Sequence, residues 1–235
     1  MDDHTTPNGA TNRLRELAVS LRDLASRSTV DETLQLAVDR ATELIPGCDV
    51  ADLMFIRDGG TTTPVSSDPV AVTLDQLQAE AREGPCLTAA GELARVVAHD
   101  LGHDERWPRF GPRAAELGVR SALSFQLFLL RHEGDRLGAL NLFGRRPFAF
   151  DQDAIAIGEI FAAHCAAVLA SAISQEGATA ALRSRDVIGQ AKGILMERHD
   201  LSANEAFSLL RAASQRQHVK LRELAERVAE TGRLD

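Results

Sequence analysis

"SALSFQLFLLRHEGDRLGALNLFGRRPFAFDQDAIAIGEIFAAHCAAVLASA", residues 121–172, changes its period halfway along. Residues 121–130 and 136–145 are short runs rich in β-forming side chains, and RHEGD between them reads as a hairpin loop. From Phe150 to Ser174 the pattern turns helical, with Ile155, Phe161, Val168, Leu169 and Ala172 apolar. A hairpin followed at once by a long helix predicts an antiparallel sheet packed against helices, an α+β domain.

The same reading extends upstream. DVADLMFIR (49–57) and RVVAHD (95–100) are further strand candidates, bounded by Gly, Pro or Asp. Helices are expected over 73–82 and from Asp31 to Ile45, where Leu34, Val38, Ala41 and Ile45 share a face. Leu14, Leu17, Leu21 and Leu24 stand 3-4-3 apart, a two-heptad stripe that suits helix pairing or packing on its own domain. Glu83 to Pro112 reads as a long loop around the 95–100 strand, and residues 1–12 as a flexible start.

Downstream, SQEGATA (174–180) is the one plausible break, dividing a domain at 13–174 from a tail at 175–235. In the tail, Ser202 and Glu205 form a capping box, so a helix begins at Ala203 and turns Ala206, Leu209, Leu210 and Ala213 inward. A third helix is expected near Val219, with Leu221, Leu224, Ala225 and Val228 apolar and Gly232 at its close. These follow IGQAKGILMERHDLS (188–202), whose stripe of Ile188, Ala191, Ile194 and Leu195 is interrupted by Gly189 and Gly193. Each glycine costs a helix interior about 1 kcal/mol against Ala. The tail is therefore a small three-helix bundle, with Met196 and Phe207, its only aromatic, expected in the core.

Charge is laid out unevenly. The net charge is −8, yet residues 179–235 carry ten Lys or Arg against eight acids. Ala206 to Arg222 holds Arg211, Arg216, Lys220 and Arg222 and no acid, a local cationic patch suited to phosphates. Cys48, Cys86 and Cys165 are too scattered for a disulfide framework or a zinc site. Cys86, after Pro85 in a loop, is either a packed thiol or a sensor and redox thiol. His99, Asp100, His103, Asp104 and Glu105 have ligand-like chemistry and spacing, but no metal site is expected. With no basic-then-apolar start and no uninterrupted apolar span, a soluble cytoplasmic protein without a membrane partner is expected.

Residues 121–172, with "G-A-L-N-L", "F-x-x-x-D" and the long helix, resemble the closing hairpin and C-terminal helix of a GAF sensor domain. REGPCLTAAGELARVVAHDLGHDERWPRF (82–110) is similar to the mid-domain loop of actinobacterial GAF domains that precede an RNA-binding tail, with Trp107 and Phe110 capping the core. The resemblance implies the fold and leaves the cofactor unknown: a small-molecule ligand in the GAF pocket is conceivable, and the cyclic-nucleotide signature Asn-Lys-x-x-x-Phe is missing. GAF-like folds also include thiol-dependent reductases, a rival class whose paired thiols have no recognisable setting here.

"R-x-x-I-x-x-A-K-G-I-L-M-E-R…S-x-x-E-A-F-x-L-L-R-x-x-S…V-K-L-R-E-L-A", over 183–230, is very similar to the ANTAR domain. That resemblance implies a non-enzymatic RNA-binding regulator that antiterminates transcription as a homodimer, gripping paired hairpin loops in a leader transcript. RNA contacts are then expected from Gln190, Lys192, Gly193, Arg211, Ser214, Arg216, Lys220 and Arg222, without stacking of bases on an aromatic. Gly189 and Gly193 would admit either a neighbouring helix or RNA. A DNA-binding helix-turn-helix regulator is the runner-up, since three small basic helices suit it too.

Overall fold

A computed structural model describes residues 7–57, 60–91, 94–128 and 136–234; the expected RHEGD loop at 131–135 and residues 1–6 of the expected flexible start lie outside the described residues. In chain order the elements are α1 (Pro7–Ala25), α2 (Val30–Leu44), β1 (Val50–Arg57), β2 (Gly60–Ser66), α3 (Pro69–Ala81), α4 (Pro85–Gly91), β3 (Arg95–Ala98), α5 (Phe110–Glu116), β4 (Ser121–Phe128), β5 (Arg136–Gly144), α6 (Gln152–His199), α7 (Ala203–Gln217) and α8 (Leu221–Thr231). Contacts group them into two compact units, Met1–Ile173 and Ser174–Asp235.

The first unit is built on an antiparallel sheet of order β2-β1-β5-β4-β3. Strand alternation sends Ala51, Leu53, Phe55, Leu123, Phe125, Leu140 and Leu142 to one face, where α1, α2 and α6 cover them. Val50, Met54, Ala122, Ala139 and Phe143 lie on the other face under α3, α4 and α5, with Trp107 and Phe110 buried there. Gly138 (φ +144°) lets β1 and β5 close up, since a Cβ would sit 1.7 Å from the Met54 carbonyl oxygen.

Several expectations change. The polar start does not stay loose up to residue 12, because α1 already begins at Pro7. Proline suits a first helical position, where its missing N–H is not needed. Leu17 and Leu24 are buried in the core of their own domain, so the leucine stripe is occupied within the chain. The 83–112 loop contains α4 and the start of α5, and the Glu83 carboxylate accepts from the N–H groups of Arg109 (2.5 Å) and Phe110 (2.9 Å) at that start. An additional edge strand, β2, pairs with β1 and tolerates Pro64 because one of its sides is unpaired.

SQEGATA does not interrupt the helix, since α6 runs through it, although the two compact units divide at its first residue. Its single glycine, Gly177, is outweighed by helix-favouring alanines around it. An 18-residue window of α6 reaches a mean hydropathy of 1.8, enough by length and composition to cross a membrane, contrary to the sequence expectation. Phe161, Ala162, Cys165 and Leu169 of this helix are spent in the domain core, which accounts for part of its apolarity; 39% of the window is buried.

Candidate functional site

In the second unit, Ala191 and Leu195 of α6 meet Ala206, Leu210 and Ala213 of α7 and Leu224, Ala225 and Val228 of α8. Four alanines among these eight let the helix backbones approach closely. The capping box is complete: the Ser202 hydroxyl accepts from the Glu205 N–H (3.4 Å), and the Glu205 carboxylate accepts from the Ser202 N–H (2.8 Å) and hydroxyl (2.6 Å). Those bonds hold the Glu205 carboxyl below its usual range. At the other end of α7, His218 takes the left-handed conformation and the Ser214 hydroxyl donates to the Val219 carbonyl (2.7 Å).

On this surface one sequence expectation narrows and another fails. Within the described residues nothing lies within 4 Å of a Cβ built on Gly189 or Gly193, so no helix of this chain uses their open face. Phe207 is not a core residue; it is 39% exposed. Ala206 and Leu210 take the inward face of α7, and Phe207 follows Ala206 by about 100° of helix rotation. The Lys192 ammonium lies 5.9 Å from the Phe207 ring centroid. Met196, by contrast, is half-buried against the bundle core.

Arg185, Ile188, Gly189, Lys192 and Phe207 line a groove of about 540 Å³ between α6 and α7. Arg211 is one turn beyond Phe207 on the same side of α7. Arg216 is exposed but lies about 140° round the helix from Arg211. Arg222 is held by Glu226 (2.8 Å) within α8. Gln190, Gly193 and Lys220 are exposed, and Ser214 serves the α7–α8 turn. The expected set therefore divides: Lys192 lines the groove and Arg211 lies one turn from its Phe207, Arg216 points elsewhere on α7, Arg222 is paired within α8, and the sequence reading missed Arg185 and Phe207. The signal for Arg185 was its 4-3 spacing to Gly189 and Lys192.

The first unit holds a second polar cluster, on the sheet face under α3 and α4. Register aligns Asp52 with Asn141 and Asn141 with Ser124. The Asn141 amide donates to Asp52 Oδ1 (2.8 Å). Thr63 donates to Asp75 Oδ2 (2.6 Å), and the Gln78 amide donates to Asp75 Oδ1 (3.1 Å) and to the Cys86 sulfur (2.8 Å). Among the described residues, Asp52 Oδ2 and Asn141 Oδ1 are buried without a partner. Burial, with the neighbouring Asp75 charge, pushes the Asp52 carboxyl well up; burial raises Asp75 to about 6.

Cys86 sits inside this cluster. It is fully buried, and burial, followed by the charges of Asp75 and Asp52, pushes its thiol well up, whereas a redox thiol needs exposure and a lowered pKa. Cys48 and Cys165 are also buried and free, each raised by burial to about 12. Asp100 is engaged by Arg120 (3.0 Å) and His103 (2.9 Å), and Asp104 by Arg106 (2.6 Å). Among the described residues no group of three His, Cys, Asp or Glu could hold a metal ion.

Comparison with known proteins adds the family. The GAF domain model matches residues 27–170 and the ANTAR domain model matches residues 176–228. No curated protein matches. The GAF domain of a phosphoenolpyruvate-protein phosphotransferase from Coxiella burnetii superposes with a TM-score of 0.56 at 19% identity, over 72% of this chain and 98% of that one. The corresponding domain from Acinetobacter gives 0.52 at 16% identity, over 68% and 94%. The photosensory core module of a Stigmatella aurantiaca phytochrome gives 0.62 at 11% identity, over 91% of this chain and 46% of that one. At such identities the likeness is one of fold. Both matched families are regulatory rather than catalytic. The chain belongs to the GAF domain family and carries, behind that sensor domain, an ANTAR RNA-binding domain.

Proposed function

We propose that this protein is a cytoplasmic, homodimeric transcription antitermination regulator whose ANTAR unit grips hairpin loops of a leader transcript and prevents a terminator from forming. The observation that carries this reading is the ANTAR match together with its cationic surface: Lys192, Arg211, Arg216 and Lys220 are without an ion-pair partner among the described residues. A phosphate backbone is the natural counter-charge. The GAF unit supplies the input. A small-molecule effector able to hydrogen-bond with Asp52 Oδ2 and Asn141 Oδ1, which lack partners among the described residues, could bias the regulator only by binding one of its states more tightly. Support for a homodimer comes from α6, where Ala156, Ile160, Ala163 and Ala167 are exposed at 4-3-4 spacing, the spacing of a helix-pairing seam.

The test is selection by the full chain from a pool of two-hairpin RNAs with randomised loops, followed by competition with duplex DNA. Enrichment of particular loops that DNA does not displace is expected. Replacing Lys192, Arg211 and Lys220 together by Gln should weaken binding at least tenfold with the circular-dichroism spectrum unchanged. Preference for duplex DNA, or unaltered affinity in the triple variant, would overturn the reading.

A further inference from the structure

Phe207 exposes 39% of its surface although the bundle beside it has a complete apolar core. A phenyl ring left half in water is a cost the module's own packing does not explain. Gly189 lines the same groove as the ring and leaves a bare stretch of backbone, with nothing within 4 Å of the place a Cβ would take. Arg185 and Lys192 line the groove beside it, Arg211 follows Phe207 by one turn, and no acid lines the groove. An apolar ring, a bare backbone and three cations fit a flat aromatic ligand that carries negative charge on both sides.

We infer that this groove seats one unstacked nucleobase of a single-stranded RNA loop, the base lying on Phe207 against the Gly189 backbone, with Arg185, Lys192 and Arg211 on its flanking phosphates. The inference rests on the RNA-binding reading and adds the mode of contact. Unpaired loop bases are the part of an RNA hairpin that can be splayed out and stacked on an aromatic side chain. In the unliganded chain the Lys192 ammonium occupies the ring face at the outer limit of cation–π range. It can swing to a phosphate when a base takes that face. Ser184, also lining the groove and half-buried, brings a hydroxyl that can donate to or accept from a base edge. The competing occupant is a helix from a second copy of the chain. A symmetric contact there would bring two sets of Arg185 and Lys192 into one seam, and like charges disfavour it.

The experiment uses the full chain and the best-enriched RNA of the randomised-loop pool, with 2-aminopurine at each loop position in turn. Binding should quench the probe at one position per hairpin. Phe207→Leu keeps apolar bulk but removes the stacking face; it should abolish that quench and weaken binding about 5- to 150-fold. Gly189→Leu fills the groove without removing any contact of the fold. It should weaken binding similarly while the thermal midpoint stays level or rises. Full affinity and an unchanged quench in both variants would overturn the inference and leave the RNA-binding reading standing. A halved mass of either variant in sedimentation would overturn it too, by making the groove a subunit contact. Failure of the parent chain to enrich any loop would remove the RNA-binding reading itself.

Discussion

Asp52 and Asp75 lie on the same buried face of the sheet, where burial raises both carboxyl groups. A carboxyl whose pKa is higher folded than unfolded makes the folded chain bind more protons, so its stabilising share is present at low pH and lost as pH rises. For Asp75 the window runs from the ordinary value near 3.8 to about 6. Thermal midpoints of the GAF unit should therefore fall across that window from this group and level off above it. Asp75→Asn should flatten the slope and be at least as stable as the parent at pH 7.5, since both hydrogen-bonding neighbours can serve an amide. A steeper slope in the variant would contradict this account. The sequence marked Cys86 but not its setting, because which sheet face a residue meets depends on register between distant strands. Phe207 was misjudged for a related reason: an apolar residue at the edge of a helical stripe can fall on either side of the core boundary.

At the scale of elements, long periodic segments were readable, and so was the four-residue β3, whereas the shortest helices and the outer edge strand were not. The strands at 50–57, 121–128 and 136–144 and the helix beginning at Ala203 follow the pattern in the letters. The helices α4 and α5 have seven residues each, too few to display a period. The Thr-rich strand β2, half-buried at a sheet edge, shows too little apolar alternation to be seen. SQEGATA misled because a glycine in a run of alanines lowers helix stability without ending the helix. The capping box, legible from Ser202 and Glu205 alone, gives a direct test. Ser202→Ala should destabilise the start of α7 by about 1 kcal/mol, read as roughly fivefold faster hydrogen exchange in its first turn. Equal exchange would show that the cap contributes nothing.

For the whole molecule, charge layout divides the labour: an acidic sensor portion and a tail with a small excess of base. Family resemblance made both units legible. The candidate contact surface was only partly so, because cations spaced along one helix do not share a face unless the spacing suits the turn. If Lys192, Arg211 and Lys220 each meet a phosphate, the parent's affinity for the selected RNA should fall steeply with salt. The triple Gln variant should show a log–log slope shallower by about 2–3. An identical slope would mean that these side chains do not touch the backbone.

The buried carboxyl groups carry a calorimetric consequence. At pH 5 the folded interior keeps on Asp75, raised to about 6, a proton that the opened chain releases. Melting must then deliver hydrogen ions to the surrounding buffer, so the measured heat includes the buffer's own heat of protonation. Scans in buffers of differing ionisation enthalpy at that pH should give apparent enthalpies that rise or fall in step with it, and Asp75→Asn should reduce the dependence.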